Sequence, residues 1–387
     1  MPYYRRVGDI PRKRHTVHRP GGGGRHAEEL MGAAGFSGAS ALLYHRHSPS
    51  AVVAIEPVAD DRPSLGANQP LRPHHLTTGA LPAGGDLITG RHLLVGNDDV
   101  RLCWATATGS SGLYRDAIGD ELVFVQDGHG VLESVFGSMA VGAGDYVVIP
   151  ASTTHRWVVD DSPLRAVVFE TTGHVSPPRR YLSDQGQFVE QTPYCERDLR
   201  APDGPLLVDG GEVDVLIRHR GGLSRHTHQC HPFDVVGWDG CLYPYALSIH
   251  DFEPIVGSLH QPPPVHQTFE GPNMVVCSFV PRLYDFHPEA VKVPYHHANV
   301  DSDEVLFYSA GEFMSRAGTG IGVGSVTLHP AGFVHGPQPG SWERSVGKDR
   351  TDEVAVMLDT FRPLLLTDVA RSVSDPAYVR SWADPDR

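Results

Sequence analysis

Cysteine is scarce in this chain: five of 387 residues, Cys103, Cys195, Cys230, Cys241 and Cys277. They are scattered, odd in number and form no C-x-x-C pair. That excludes a disulfide framework and a thiolate zinc site, and fits a reducing compartment. Long apolar runs are missing too. Nowhere do about 18 apolar residues follow one another, so no membrane-spanning helix is expected. The opening MPYYRRVGDIPRKRHTVHRP is basic but lacks the apolar core of a signal peptide, and a cytoplasmic protein is the expectation. Positive charge is in deficit, with 32 Lys and Arg against 46 Asp and Glu and a net charge of −14. A surface for nucleic acid or anionic lipid needs clustered Lys and Arg, so neither partner is expected. Helical signals are few: only EELMGAAG near residues 28–35 and a short piece near the C-terminus look helical.

Apolar residues make up 40% of the chain, enough for a substantial core. Glycine (42) and proline (32) are abundant, which suits many short strands and turns. RPGGGGRH at 19–26 lacks the Lys-Ser/Thr of a phosphate-binding loop and reads as a plain loop. Between residues 86 and 171 the segments LITGRHLLVG, VRLCWATAT, DELVFVQDG, DYVVIPA and RAVVFETT are rich in Val, Phe and Tyr and separated by Gly, Asp and Ser. Residues 172–230 are irregular. Strand patterns resume with FDVVGWDG, NMVVCSFVP, DEVLFYSAGEF, GSVTLHPAGFVHG and DEVAVMLDTFRPLLL. Short strands at regular spacing predict an all-β jelly roll or sandwich.

Histidine is unusually frequent, at 23, and it is the commonest metal ligand. The stretch PYHHANVDSDEVLFYSAGEF, residues 294–313, poses the question whether these histidines and acids form a charged loop or half of a metal site. A repeat bears on it. Glu304 is followed by six residues and Gly311; later come Gly324, five residues, Pro330, one residue, Gly332, two residues and His335. Glu121 is followed by six residues and Gly128; later come Gly144, five residues, Pro150, one residue, Ser152, two residues and His155. The same punctuation occurring twice indicates an internal duplication.

This spacing resembles the cupin family, whose small jelly-roll barrel is a double-stranded β-helix. The resemblance implies a bicupin. In its C-terminal copy His297, Asn299 and Glu304 fall on the H-x-H…E positions and His335 on the histidine of the second motif. Two histidines and a carboxylate make the facial set of non-haem Fe(II) oxygenases, although Zn and Mn suit the same donors. His296 is an alternative to His297, favoured less by the spacing, and Asp303 an alternative carboxylate. In the N-terminal copy YRDAIGD replaces the histidines before Glu121, so that barrel is expected to be degenerate and metal-free, with His155 structural. The expected division is an N-terminal domain over residues 1–250 and a C-terminal cupin over 251–387.

IPRKRHTVHR, EELMGAAGFSGASALLYHRHSP, FDVVGWDGCLYPY, PYHHANVDSDE and TLHPAGFVHGPQPG, in this order, resemble the homogentisate 1,2-dioxygenase family from the first residues to about residue 340. The resemblance implies an Fe(II) enzyme that opens a 1,4-dihydroxyphenyl ring bearing an acetate. Both atoms of O2 are inserted to give maleylacetoacetate, a step of tyrosine and phenylalanine breakdown. It implies His297, Glu304 and His335 as iron ligands and His260, in SLHQPPP, as active-site base. Tyr295 and His329 fall on substrate-side positions. It also implies a homo-oligomer, a trimer or dimer of trimers. A neutral histidine beside a ring hydroxyl can take its proton, the task assigned to His260; the plainer reading is a loop histidine in a proline-rich turn. For His329 the plainer reading is an inward barrel residue. Two departures bear on the substrate. Phe313 stands where the family has a substrate-contacting tyrosine, and Arg316 where it has a lysine; an arginine can still grip a carboxylate.

Four functions follow for comparison. The first is homogentisate cleavage, and the second is the same iron chemistry on another dihydroxyaromatic ring. The third is a non-enzymatic bicupin, and the fourth a zinc or manganese isomerase that consumes no oxygen. A separate cluster, RHTHQCHP at 225–232, offers His226, His228, Cys230 and His231 but has no partner motif, and reads as a surface or interface segment.

Overall fold

The computed structural model describes residues 3–259, 261–316 and 320–383. Strands dominate, and the α-helices among the described residues are the five-residue Ser341–Ser345 and Asp368–Ser372. The patterned segments are strands: Glu121–Asp127, Asp145–Ile149, Leu164–Thr171, Met274–Phe279, Asp303–Ala310, Ser325–His329 and Val354–Thr360 among them. EELMGAAG is not a helix. Ala27–Gly32 is a strand paired antiparallel with Ser40–His45, Ala27 opposite His45 and Gly32 opposite Ser40. Pairing with a buried strand overrides the helix preference of Glu, Leu and Met, a weak local bias.

The chain forms two compact units: Met1–Arg62 with Ala83–Arg91 and Ala105–Ser248, and Pro63–Pro82 with His92–Trp104 and Ile249–Arg387. In the first, Glu121–Asp127 lies between Asp145–Ile149 and Leu164–Thr171, both antiparallel to it. A second sheet carries His129–Ser134 between Gly137–Gly142 and His155–Val159. Phe124, Phe136, Tyr146, Trp157 and Phe169 fill the core and are essentially fully buried.

The second unit holds a six-stranded antiparallel sheet. Its order is Gln267–Gly271, Met274–Phe279, Val354–Thr360, Asp303–Ala310, Ser325–His329 and His74–Thr77. Opposite Glu304 stands a short ladder in which the His297 N–H donates to the His335 carbonyl (2.8 Å) and the His335 N–H to the His297 carbonyl (2.9 Å). Sheet and ladder close a barrel of the double-stranded β-helix type, and the same pairing around Glu121 makes each unit a cupin.

The repeated punctuation has a physical cause. Gly128 and Gly311 both have left-handed backbones, at φ +84° and +83°. A β-carbon there would lie 2.4 Å from the Pro163 carbonyl oxygen and 2.2 Å from that of Asp352. Only glycine combines that conformation with so close an approach. The acid before each glutamate is equally repetitive. Asp120 accepts the N–H groups of Ala151 (2.8 Å) and Val175 (2.9 Å); Asp303 accepts those of Ala331 (2.8 Å) and Leu364 (2.7 Å). Each ties the glutamate strand to the turn that delivers the second-motif histidine. All five cysteines are free, and no described helix is long and apolar enough to cross a membrane.

Candidate metal centre

His297, Glu304 and His335 converge, with one ligand atom from each lying within 4.8 Å of the others. Glu304 projects from the middle of the sheet, and the two histidines come from opposite strands of the ladder. Directly opposed residues of an antiparallel pair share a face, so both imidazoles reach the same side. Their rings lie 4.3 Å apart between centres. His297 Nδ1 is 3.1 Å from the Tyr295 carbonyl and His335 Nδ1 3.0 Å from that of Phe333. A carbonyl only accepts, so each Nδ1 carries the proton and donates it. Nε2 of each ring then faces Glu304. These nitrogens stand 3.7 Å from Glu304 Oε2 and 3.2 Å from Glu304 Oε1.

Two imidazole nitrogens and a carboxylate facing one another are a donor set that a divalent cation placed between them would satisfy. Anchoring Nδ1 on a carbonyl is also how protein metal sites fix the tautomer of a ligating histidine. The donor set therefore fits a divalent metal. Burial alone would raise Glu304, but His297, His329 and His335 beside it hold the carboxyl well below its usual range. The neighbouring Glu304 raises His297 despite partial burial.

His329 sits opposite Glu304 in register and is completely buried. Burial pushes it down to about 3, so the ring is neutral. Its Nδ1 donates to Glu304 Oε1 (2.9 Å), and its Nε2 accepts from the Tyr378 hydroxyl (2.8 Å). With both nitrogens engaged by protein, His329 is a support for Glu304 rather than the substrate contact expected of it. Arg316 is likewise occupied: Nε donates to Tyr308 Oη (3.2 Å), Nη1 to the Gly336 carbonyl, and the guanidinium lies 5.6 Å from the Trp382 ring centre. Phe313 packs edge-on against Tyr308 with ring centres 4.9 Å apart. The Tyr295 ring is exposed, and its carbonyl is what reaches the centre. His260 lies outside the described residues.

The alternatives resolve by geometry. His296 is exposed on the opposite side of the extended segment from His297, against Gly336. Asp303 has both oxygens taken by backbone N–H groups. In the 225–232 cluster, His226 and His228 stand on strand Gly222–His228, and His228 lines a small cavity with Glu29, His45, Arg115 and Cys230. Among the described residues, the group able to hold a metal is His297, Glu304 and His335.

Three neighbours escaped the sequence reading. Tyr378 and Trp382 return over the centre from the C-terminal segment. Their rings are 5.0 Å apart, and Trp382 Nε1 donates to the Gly336 carbonyl (2.9 Å). An aromatic pair four residues apart was the available signal. Asp359 lies opposite Glu304 on the next strand. Burial and the Glu304 charge push it up to about 7. The repeat extends this far, since Glu170-Thr171 and Asp359-Thr360 end matching strands.

The first unit shows what the same frame does with one ladder histidine instead of two, Tyr114 standing opposite His155. His155 Nδ1 donates to the Thr153 carbonyl (3.0 Å), and its Nε2 lies 3.8 Å from Glu121 Oε2, as His335 stands to Glu304. Arg91 supplies the cation. Its Nη2 donates to Glu121 Oε2 (3.1 Å) and its Nη1 to Glu170 Oε1 (2.9 Å).

Two cupin-type units, one with a two-histidine, one-carboxylate cluster that could hold a metal ion, define the class of protein as a bicupin. Comparison with known proteins narrows this. The family described as "Homogentisate 1,2-dioxygenase N-terminal" matches residues 98–249. A protein of Saccharolobus solfataricus whose name proposes a dioxygenase, without a substrate, is 39% identical over 99% of both chains. Homogentisate 1,2-dioxygenases of Emericella nidulans and Bradyrhizobium diazoefficiens are 25% and 23% identical, over 68% and 71% of this chain. The matches span 62% and 64% of those two enzymes' own lengths. The chain belongs to the homogentisate dioxygenase family and is an enzyme of the dioxygenase class.

Proposed function

We propose that this enzyme is a non-haem Fe(II) dioxygenase that opens the ring of homogentisate with O2 to maleylacetoacetate, in tyrosine and phenylalanine breakdown. The convergence of His297, Glu304 and His335, each imidazole anchored through Nδ1, carries the reading. Two histidines and one carboxylate leave coordination positions open, the arrangement used by ferrous oxygenases. Iron bound there supplies the redox chemistry between triplet O2 and a closed-shell ring, and acidifies a bound hydroxyl.

The protein's own groups do the rest. Tyr378 holds His329, which holds Glu304, so the carboxylate keeps one orientation. Phe333, Tyr378 and Trp382 wall the centre with aromatic rings and keep water from it. His260 takes the ring hydroxyl proton. The first unit, with Arg91 between Glu121 and Glu170, binds no metal and serves as scaffold. The enzyme works in the cytoplasm as a homo-oligomer, a trimer or dimer of trimers, which sedimentation checks.

One observation favours a second substrate. Arg316 is spoken for by Tyr308, Gly336 and Trp382, and Phe313 offers no hydroxyl, so no described group at these two positions is placed to receive the acetate. A hydroquinone without that side chain suits this better. The deciding experiment loads apo-protein with Fe(II) without oxygen, then adds air and homogentisate, or air and unsubstituted hydroquinone, and follows O2 uptake with the ring-opened product. Stoichiometric uptake with homogentisate, lost in His335→Ala, supports the first reading. Uptake with hydroquinone alone supports the second. Iron bound in the wild type without uptake for either ring overturns both.

A further inference from the structure

Asp359 is a half-buried acid with one oxygen, Oδ1, that the centre leaves unanswered. It faces Glu304 in register across neighbouring strands, so both carboxyls project to the same side of the sheet. Its Oδ1 is shut away from solvent and has no hydrogen-bond partner among the described residues. Buried polar atoms of native proteins are almost always paired, and an unpaired one costs about 1–3 kcal/mol.

The duplication shows what this position needs. Its counterpart in the first unit is Glu170, which faces Glu121 in register. Glu170 is met by three arginines: Arg91 at 2.9 Å, Arg218 at 2.8 Å and Arg62 at 3.3 Å. Among the described residues none of these arginines has an equivalent at Asp359. The histidines of the centre, His297, His329 and His335, make their contacts to Glu304. Nor does Asp359 join the group of ligand atoms that converge within 4.8 Å. The missing donor has to come from what binds there. A metal-bound dihydroxy ring brings phenolic O–H groups, the right chemistry for a carboxyl acceptor beside the metal.

We propose that Asp359 is a substrate contact: its Oδ1 accepts a hydrogen bond from a ring hydroxyl of the bound dihydroxyaromatic and sets the ring's orientation. The proposal rests on the ring-cleaving reading above and adds to it the residue that recognises a hydroxyl. A site built to bond a hydroxyl rejects the analogue that lacks it, because the buried partner is then left unpaired. In the resting protein a water can fill the place and is displaced by the ring.

The test is binding without turnover. Fe(II)-loaded wild type, Asp359→Ala and Asp359→Asn are titrated calorimetrically without oxygen against homogentisate and against 2- and 3-hydroxyphenylacetate. Fe(II) affinity is measured alongside. Wild type should prefer the dihydroxy ring by about tenfold or more over each monohydroxy analogue. Asp359→Ala should lose the preference over one of the two and keep its Fe(II) affinity. Asp359→Asn preserves the side-chain shape, should lower that preference in part, and decides the matter if the alanine variant does not fold. Preferences that stay unchanged in a folded variant overturn the role of Asp359 alone. A tenfold to hundredfold loss of Fe(II) affinity makes Asp359 a group that orients the metal ligands, and equally overturns it. Wild type that binds Fe(II) but none of these three rings overturns the homogentisate reading; titration with unsubstituted hydroquinone and phenol then repeats the comparison, and a wild type that binds neither overturns the ring-cleaving reading and this proposal with it.

Discussion

Glu304 is held by His329, which is held in turn by Tyr378, and each link makes a separate expectation. Replacing His329 with alanine removes a donor from Oε1 and leaves the Tyr378 hydroxyl without its acceptor. Fe(II) affinity should fall about 10- to 100-fold, read by competition with a chelating dye. Tyr378→Phe removes only the outer bond and should cost about 1 kcal/mol or less of metal affinity. Away from the centre, His45 is buried between Asp234 (2.6 Å) and Glu29 (2.9 Å). Burial opposes its charge, but the hydrogen bonds to the two carboxylates overcome this and raise it to about 9. A histidine raised above its unfolded value near 6.5 stabilises the fold fully below that pH and loses the contribution as pH climbs through 9. The shift corresponds to roughly 3 kcal/mol. His45→Gln should therefore be least stable relative to wild type near pH 6, with the gap narrowing towards pH 10 in urea titrations. The three candidate ligands were legible in sequence because their spacing is punctuated by glycine and proline. Asp359 was not, because its role depends on which strand lies beside Glu304.

Strands were the legible elements, since runs such as LVFV and AVVF are bounded by turn residues. Ala27–Gly32 was not, because its strand state comes from pairing with Ser40–His45. The Glu-x6-Gly turn gives a test at this scale. Gly311→Ala forces a side chain into a left-handed backbone 2.2 Å from the Asp352 carbonyl oxygen. It should cost more than about 1 kcal/mol in chemical denaturation, more than a glycine replaced where the backbone is relaxed. Asp303 shows why an acid next to a ligand need not be one. Its two oxygens accept two backbone N–H groups and join the sheet to the Pro330 turn.

Across the whole molecule, one frame was used twice and its central cation solved in two ways. In the first unit the cation is covalent, the Arg91 guanidinium against Glu121 and Glu170. Arg91→Ala leaves the buried Glu121 carboxylate without its cation, while Glu170 keeps Arg218 and Arg62, and should destabilise the protein by about 3–5 kcal/mol, seen as a lower urea midpoint. In the second unit the proposed metal takes that place. Metal analysis of the loaded protein should give about one ion per chain, abolished by His335→Ala, the stoichiometry set by one histidine-bearing frame out of two.

The amino-acid order alone determined the all-β character, the duplication, the candidate triad and the family resemblance. Each of these is written in local spacing: strand patterns, turn glycines and motif histidines act within a few residues of one another. The tertiary structure alone decided which groups stand beside the candidate triad, and beside Glu121 in the first unit. Tyr378, Trp382, Asp359 and Arg91 lie far along the chain from the residues they touch, and their meeting depends on strand order and register, which local spacing does not encode.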